Sequence, residues 1–200
     1  MGTVLFRDFE ERDVDSIYKW KNDEQLNSMI VGQYHPFSYE EAINWVHGCM
    51  GEHKTYKFWA VCTNDEEKRI IGWVSLSDID YENMSASFHG IVIADPNYRD
   101  GFAWVESYLF VMSQTFDVMG LNRLEGKNLV NHKQSNFIGG ILFWKGEGIM
   151  RQAVRKNGEF YDLRIGSILR KEYLDHKVNG EYEMSSILHR LRNSLRNRNK

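Results

Sequence analysis

The sequence predicts a mixed α/β domain in which most neighbouring strands are antiparallel. Apolar and β-branched runs of strand length alternate with segments of helical periodicity along the chain. Short polar turns join three strand-like segments between residues 56 and 96, which is typical of antiparallel neighbours. An Asn157-Gly158 dipeptide favours the positive φ angles of a type I′ turn and so predicts a final hairpin.

The first half of the chain supplies a strand, two helices and the three-stranded meander. Residues 4–6 form the first predicted strand, and Asp13 is expected to cap a helix through Trp20. The segment SYEE (38–41) matches the capping box, so a second helix should begin there. The predicted meander strands are 56–62, 69–79 and 85–96.

A long helix, a strand, a further helix and the hairpin complete the domain. The long helix is expected from about Gly101 to Met119. Pro96 stops the strand before it, because proline cannot donate to a strand ladder. The remaining predicted segments are a strand at 123–130, a helix at 133–143 and hairpin arms at 148–156 and 159–171.

Length and composition exclude several classes of protein. The 200 residues contain 26% charged and 42% hydrophobic side chains, as expected for one globular domain, and we place it at 1–174. No stretch reaches the about 20 apolar residues that span a bilayer. No secretory signal is visible, so we expect a cytoplasmic protein whose two cysteines are reduced.

Basic charge is concentrated in the predicted C-terminal extension, residues 175–200. Five of the 25 basic residues and none of the 28 acidic ones lie in 185–200, which leaves residues 1–184 with a net charge of −8. This acidic body argues against nucleic acid as a partner. A basic amphipathic helix can bind a membrane surface, nucleic acid or a protein groove, but we favour packing on its own domain or a dimer mate. A homodimer stays open.

The loop that follows Pro96 is the most informative segment for function. It leads into a helix, whose first N–H groups and dipole form a site suited to a pyrophosphate. Gly101 and Ala103 would let a ligand approach the backbone, and Arg99 could neutralise its charge. On this loop alone, an ordinary tight turn is the simpler interpretation.

Three segments carry a resemblance to a known family. They are LFRDFEERD with YKWKND (5–13, 18–23), IIGWVSLSDID followed by IVIADPNYRDGFA (70–80, 91–103), and GEGIMRQAVRKNGEFYDLRIGSIL (146–169). Over residues 3–174 the chain resembles the GNAT superfamily of N-acetyltransferases, in the branch of ribosomal-protein alanine and amino-sugar acetyltransferases. The resemblance implies a sheet splayed after the fourth strand, with helices on both faces, and acetyl-CoA as the co-substrate.

The resemblance also implies which residues contact acetyl-CoA. The pantetheine would pair with opened backbone like an extra strand, and the pyrophosphate would lie on the loop and helix that follow. The implied contacts are Ile91, Val92 and Ile93 for pantetheine, and Arg99, Asp100, Gly101, Phe102 and Ala103 for pyrophosphate, with Asn131 as a further match. In the family loop pattern Q/R-x-x-G-x-G/A, the first position here is Tyr98.

One departure from the family pattern concerns the general acid. Relatives carry a tyrosine that can protonate the departing thiolate, then Gly-Phe before Glu-Gly. Here Gly139 or Gly140 stands near the tyrosine position and Leu142-Phe143 replace Gly-Phe, while Glu147-Gly148 match. A nearby tyrosine or water then supplies the proton, or the site has lost turnover.

The general base is expected on the fourth strand, where many relatives place an acid. This sequence offers Phe88 there, with His89 beside it. Adjacent strand residues point to opposite faces, so the two cannot both face the cleft. Histidine titrates near neutral pH, which makes His89 the catalytic candidate, against a structural or surface histidine. Asp78, Asp80 and Glu82 are alternatives for binding an amine.

The predicted function is the acetylation of a small-molecule amine, and the resemblance favours a nucleotide-linked amino sugar. Early aromatic residues suit sugar or base faces, although a core role accounts for most of them: Tyr18, Trp20, Tyr34, Phe37 and Trp45. The alternatives are an acetyltransferase of protein N-termini and a silent domain that binds acetyl-CoA. His47 and His53 lack convincing metal partners, so no metal is expected.

Overall fold

The computed structural model describes residues 3–28, 30–31, 33–99 and 101–198. The strands are β1 (Val4–Arg7), β2 (Lys57–Thr63), β3 (Ile70–Asp80), β4 (Ser85–Ile93), β5 (Arg123–Leu129), β6 (Lys145–Lys156) and β7 (Glu159–Leu169). They form one seven-stranded sheet in the order β1-β2-β3-β4-β5-β7-β6. Among these strands every neighbouring pair is antiparallel except β4 and β5, which are parallel. The predicted mixed, mostly antiparallel sheet is confirmed.

The helices lie on both faces of the sheet. They are α1 (Val14–Lys21), α2 (Glu24–Asn27), α3 (Tyr39–Cys49), α4 (Phe102–Ser113), α5 (Lys133–Ile141), α6 (Arg170–Val178) and α7 (Met184–Arg198). The predicted capping box begins α3, since the Glu41 N–H donates to the Ser38 hydroxyl at 3.2 Å and the Ser38 N–H donates to the Glu41 carboxylate at 2.7 Å. The short α2 and the separate α6 were not predicted.

Two segments end earlier than the sequence predicts. The fourth strand stops at Ile93, because the N–H groups of Ala94 and Asp95 both turn back to the Ile71 carbonyl. The long helix leaves α-helical geometry after Ser113 and finishes as a π-helical turn over 114–118. Both differences shorten the elements that flank the loop at 94–101.

Two clusters of buried side chains occupy the two faces of the sheet. The larger cluster packs α4 against the sheet and includes Leu76, Tyr108 and Leu124. The smaller cluster packs α1 and α3 against the opposite face and includes Ile17 and Trp73. The sheet therefore has an α4 face and an α1 face, and each strand residue can be placed on one of them.

The C-terminal helices pack on the larger cluster. Ile187 of α7 is fully buried, and Tyr182 before it is nearly so. Arg190 donates to the carbonyls of Ile141 at 3.1 Å and Glu181 at 2.6 Å, which ties α7 to the end of α5. Residues after 174 thus contribute side chains to the same core as residues before it.

The tip of the β6–β7 hairpin is joined to the segment that follows α2. Asn157 and Gly158 have φ of 51° and 87°, as a type I′ turn requires. The Asn157 N–H donates to the Gln33 side chain at 2.7 Å, and the Lys156 ammonium donates to the carbonyls of Ser28 and Ile30. The hairpin strands lie beyond β4 and β5 in the strand order, so this contact joins the segment after α2 to the far side of the sheet.

Candidate functional site

The strands β4 and β5 separate halfway along their length. They pair only from Ser85–Arg123 to Phe88–Gly126 in the described chain, although β4 continues to Ile93 and β5 to Leu129. We call the last pair, Phe88 and Gly126, the vertex of the gap. Beyond it, among the described residues, β4 pairs only with β3 and β5 only with β7. The gap therefore presents two backbone edges to which an extended ligand can add like a strand. It is the predicted splay after the fourth strand.

A β-bulge in β4 lies at the vertex and sets the direction of His89. Leu76 pairs with Phe88 and Ser75 with Gly90, so His89 is the extra residue of the bulge. Phe88 and Ile91 both pack in the larger cluster, on the α4 face. His89 therefore lies on the α1 face, where it is exposed, and Phe88 lies on the other.

The three residues predicted to meet pantetheine form the β4 side of the gap. Ile91 and Ile93 pack in the larger cluster, while Val92 packs in the smaller one. Their side chains are thus fixed in two cores, and the backbone is what faces the gap. The Arg99 guanidinium donates to the carbonyls of Ile93 at 3.0 Å and Ala94 at 2.7 Å, so this exposed cation stands at the open end of the gap.

The loop at 94–101 leads from this end of β4 to the N-terminus of α4. Gly101 precedes the helix with φ of 97° and ψ of −20°, and no side chain among the described residues caps the helix. Phe102 is exposed and Ala103 is buried. An uncapped first turn presents backbone N–H groups and the positive end of the helix dipole to an anion. Asp100, also predicted to meet pyrophosphate, lies outside the described residues.

Asn131 lies across the gap, in the turn between β5 and α5, and is exposed. The next residue, His132, caps α5 by accepting a hydrogen bond from the Ser135 N–H at 3.3 Å. Burial lowers the pKa of His132. Asn131 therefore stands at the splayed end of β5 and reaches solvent on the side of the gap opposite Ile93.

The C-terminal end of α5 has a left-handed residue at Phe143. Phe143 has φ of 67°, the left-handed position that glycine favours after a helix, and the Trp144 N–H donates to the Gly139 carbonyl at 2.9 Å. Phe143 therefore ends α5 in the left-handed conformation, and Trp144 follows as the first residue turned toward the sheet.

Aromatic side chains close the α4 face of the vertex. Trp144 donates from its indole N–H to the Tyr108 hydroxyl at 2.6 Å. A Cβ placed on Gly126 would lie 3.0 Å from the Trp144 ring, and the Phe88 ring lies 6.2 Å from both aromatic rings. Burial raises the pKa of Tyr108 well above its ordinary value, so this phenol stays protonated at neutral pH.

The α1 face carries a row of polar side chains beside the vertex. Ser77, Ser87, Glu125 and Ser167 are register partners on β3, β4, β5 and β7. The Ser87 hydroxyl donates to Glu125 at 3.3 Å. This row was missed in the sequence because it exists only once the strand register is known.

Glu147 lies at the end of this row. Its carboxylate accepts hydrogen bonds from the Ser167 hydroxyl at 2.6 Å and from the Arg123 guanidinium at 2.6 and 2.8 Å. Arg123 and Ser167 lower the pKa of Glu147 to about 2. Glu147 is therefore ionised and paired over the whole physiological pH range.

The early aromatic residues mostly serve the smaller core. Trp20 and Trp45 pack against Trp73, with ring centroids 6.2 and 5.7 Å apart. Phe37 packs against the same cluster, while the Tyr34 hydroxyl donates to the Asn22 carbonyl at 3.2 Å. A core role therefore accounts for Trp20 and Trp45.

The other candidate polar residues are engaged in local structure. The Asp80 carboxylate accepts from the Asn83 N–H at 2.8 Å, which lowers the pKa of Asp80. His47 lies 3.6 Å from Glu11, and His53 contacts the Met50 carbonyl. Within the described residues, no three His, Cys, Asp or Glu side chains are grouped as a metal site requires. No described helix is long and apolar enough to cross a membrane.

Both cysteines are expected to be unreactive in the folded protein. Burial raises the pKa of Cys49 to about 12 and that of Cys62 to about 11, and only the thiolate is a nucleophile. A thiol reagent at pH 8 should label neither residue until the protein is unfolded, as counted by mass spectrometry. Prompt labelling of either thiol in the folded state would contradict this and make that cysteine a candidate nucleophile.

Comparisons with known proteins agree with this geometry. Residues 3–138 match the family model of the acetyltransferase (GNAT) domain. An uncharacterized N-acetyltransferase of Bacillus subtilis (strain 168), YoaA, is 25% identical over 170 residues, which cover 84% of this chain and 93% of that protein.

Two solved structures show the same fold. A GNAT-family acetyltransferase from Bacillus anthracis has a TM-score of 0.71 and 20% identity, covering 85% of this chain and 96% of that one. The spermidine N-acetyltransferase from Vibrio cholerae, in complex with CoA and spermine, has a TM-score of 0.73 and 21% identity, covering 86% and 98%. Because the family model matches more than half of the chain, this protein belongs to the GNAT family of acetyltransferases and is an N-acetyltransferase.

Proposed function

We propose that the protein transfers the acetyl group of acetyl-CoA directly to the primary amine of a small acceptor. The observation that carries the proposal is the gap between β4 and β5, which opens onto the uncapped N-terminus of α4. One continuous surface thus offers strand-like hydrogen bonds to an extended amide chain and an anion site to its pyrophosphate. The GNAT family uses acetyl-CoA, which has both parts.

Each part of acetyl-CoA has proposed contacts in this chain. The backbone of Ile91–Ile93 would bind the pantetheine, and Asn131 would close the opposite side. The N–H groups of the α4 N-terminus, in the turn Gly101–Ala103, would hold the pyrophosphate, with Arg99 and Asp100 beside it. The α4 face at the vertex is filled by Trp144 and its neighbours, so the acceptor enters from the α1 face.

We propose His89 as the general base, because the bulge places it on the α1 face at the vertex. His89 removes one proton from the acceptor ammonium and passes it to solvent. The neutral nitrogen then attacks the thioester carbonyl, a C–N bond forms, and the C–S bond breaks with its electron pair on sulfur. The second nitrogen proton moves to that sulfur through water, since α5 contains no tyrosine.

A nucleotide-linked amino sugar remains our proposed acceptor, with a protein N-terminus as the alternative. The polar row offers serine hydroxyls as partners for sugar hydroxyls, at Ser77 and Ser87. Arg123 and Lys127 lie beside its carboxylates, so a ligand with several positive charges, such as spermine, would meet two cationic side chains there, whereas a single ammonium would not need both carboxylates. The hydrogen bonds between Gln33 and Asn157 join the segment after α2 to the tip of the hairpin beyond β5, and we infer that this segment restricts the α1 face to a small acceptor.

Release of CoA should discriminate between these acceptors. With acetyl-CoA present, we expect turnover with UDP-glucosamine or a related nucleotide-linked amino sugar, and slower or no turnover with spermidine and with peptides bearing free N-termini. Turnover on peptides alone would overturn the amino-sugar proposal in favour of N-terminal acetylation. If acetyl-CoA binds and none of these acceptors reacts, the result favours the alternative of a silent domain that binds acetyl-CoA.

We also propose that the protein works in the cytoplasm and forms a homodimer. Both cysteines are free, which suits a reducing compartment. The hairpin exposes apolar side chains at Ile149, Met150 and Phe160, with β6 at the edge of the sheet. Light scattering should give twice the chain mass, and a mass of 23.6 kDa would contradict the dimer.

A further inference from the structure

We infer that Glu125 binds the amine of the acceptor and supplies the negative charge at the reacting end of the gap. The inference rests on the proposed function, because it assigns a residue to the same site. An amine arrives as an ammonium ion at neutral pH and must be held beside the thioester until it loses a proton. On β4 the residues next to the bulge are Ser87 and Phe88, neither of which carries charge.

The strand register places Glu125 at the vertex. It is the partner of Ser87 across the parallel pair, and it directly precedes Gly126, where β4 and β5 separate. Leu124 is buried in the larger cluster and Gly126 faces Trp144, so the Glu125 side chain lies on the α1 face. Glu125 and His89 therefore flank the vertex on one face, from two different strands.

An alkylammonium group already lies against this carboxylate. The Lys127 Nζ atom is 3.2 Å from Glu125 Oε1. The Lys127 side chain is 41% exposed, against 25% for that of Glu125. The lysine can therefore move into solvent, and the amine of an acceptor can take its place against the less exposed carboxylate.

The neighbouring Arg123 pairs mainly with Glu147, so the Glu125 carboxylate remains able to pair with the ammonium of an acceptor. Arg123 makes its short contacts, at 2.6 and 2.8 Å, with Glu147, and lies 3.5 Å from Glu125 Oε2. Glu147 thus satisfies Arg123, while the Ser87 hydroxyl orients Glu125 Oε1. Of the two carboxylates that face Arg123, Glu125 is the one whose ion pairs are long enough to be exchanged for an ammonium ion.

The test compares an amine with its own acetylated product. UDP-glucosamine carries an ammonium and UDP-N-acetylglucosamine a neutral amide, so only the first should depend on Glu125. In the presence of CoA, Glu125→Gln should weaken UDP-glucosamine binding about ten-fold or more, the range for a lost charged hydrogen bond, and change UDP-N-acetylglucosamine binding less than about two-fold. Isothermal titration calorimetry measures both.

Two further variants make the result decisive. Lys127→Met should strengthen amine binding, because it removes the competing ammonium. Glu67 is an exposed acid in the β2–β3 turn, so Glu67→Gln should leave the affinity for both ligands unchanged. Unchanged amine binding in Glu125→Gln, or an equal loss for amine and amide, would overturn the inference while the proposed function stands. A wild-type protein that binds acetyl-CoA but neither acetylates nor binds any of these amines would contradict both the inference and the proposed acceptor.

Discussion

Replacing Gly101 with valine is expected to weaken acetyl-CoA binding at least about ten-fold, the equivalent of 1.4 kcal/mol. The φ of 97° at Gly101 lies in the region that favours glycine, and a β-branched residue held there costs about 1–3 kcal/mol. A Cβ at this position meets no atom within 4 Å, so the effect comes from the backbone and not from a clash. If the turn keeps its conformation, the valine strains it and lowers the stability of the fold. If the turn relaxes, the first N–H groups of α4 move away from the pyrophosphate and the affinity for acetyl-CoA falls.

Gly51 provides the matched control for this variant. It has φ of 82°, lies in open space and stands at the end of α3, away from the gap. Gly51→Val should therefore lose comparable stability and keep its affinity for acetyl-CoA. Calorimetric titration of both variants with acetyl-CoA separates a loss of affinity from a loss of stability. Equal affinity of Gly101→Val and wild type would show that the pyrophosphate does not bind at this turn.

Ile187→Ala is expected to destabilise the whole domain by about 2–5 kcal/mol. Ile187 is fully buried, and α7 is tied to α5 through Arg190. Deleting three heavy atoms in a packed core leaves a cavity that the surroundings cannot fill completely. The shift in melting temperature should be about 2–4 °C per kcal/mol for a chain of this size.

An exposed apolar residue in the preceding helix serves as the comparison. Val178 of α6 is 86% exposed, so Val178→Ala should change stability by less than about 0.5 kcal/mol. Equal melting temperatures for the two variants would mean that α7 is not part of the folded core.

Elements with local signals were predictable from the sequence. The capping box at Ser38–Glu41 and the Asn157-Gly158 turn are each encoded within four residues, and both form as expected. The strand segments were also placed to within a few residues, because their apolar runs are bounded by polar turns. The ends of these elements were less predictable, since Ile71 on another strand decides where β4 stops.

The features of the site that depend on distant pairing were not predictable. The parallel contact of β4 with β5 ends at Phe88 and Gly126, which are separated by a whole helix. Glu125 became a candidate only through this register, whereas the sequence directed attention to the acids at and after the end of β3. The left-handed conformation of Phe143 was likewise hidden, because an aromatic residue is not expected there.

The crystal structure of the protein with acetyl-CoA tests the central claim most directly. We expect the pantetheine in the gap between β4 and β5, hydrogen-bonded to the backbone of Ile91–Ile93, with the thioester near His89 and Glu125. The pyrophosphate should lie on the N-terminal turn of α4 beside Gly101. Acetyl-CoA bound elsewhere, or a gap closed by Phe88 and Trp144 with no ligand at saturating acetyl-CoA, would contradict the account.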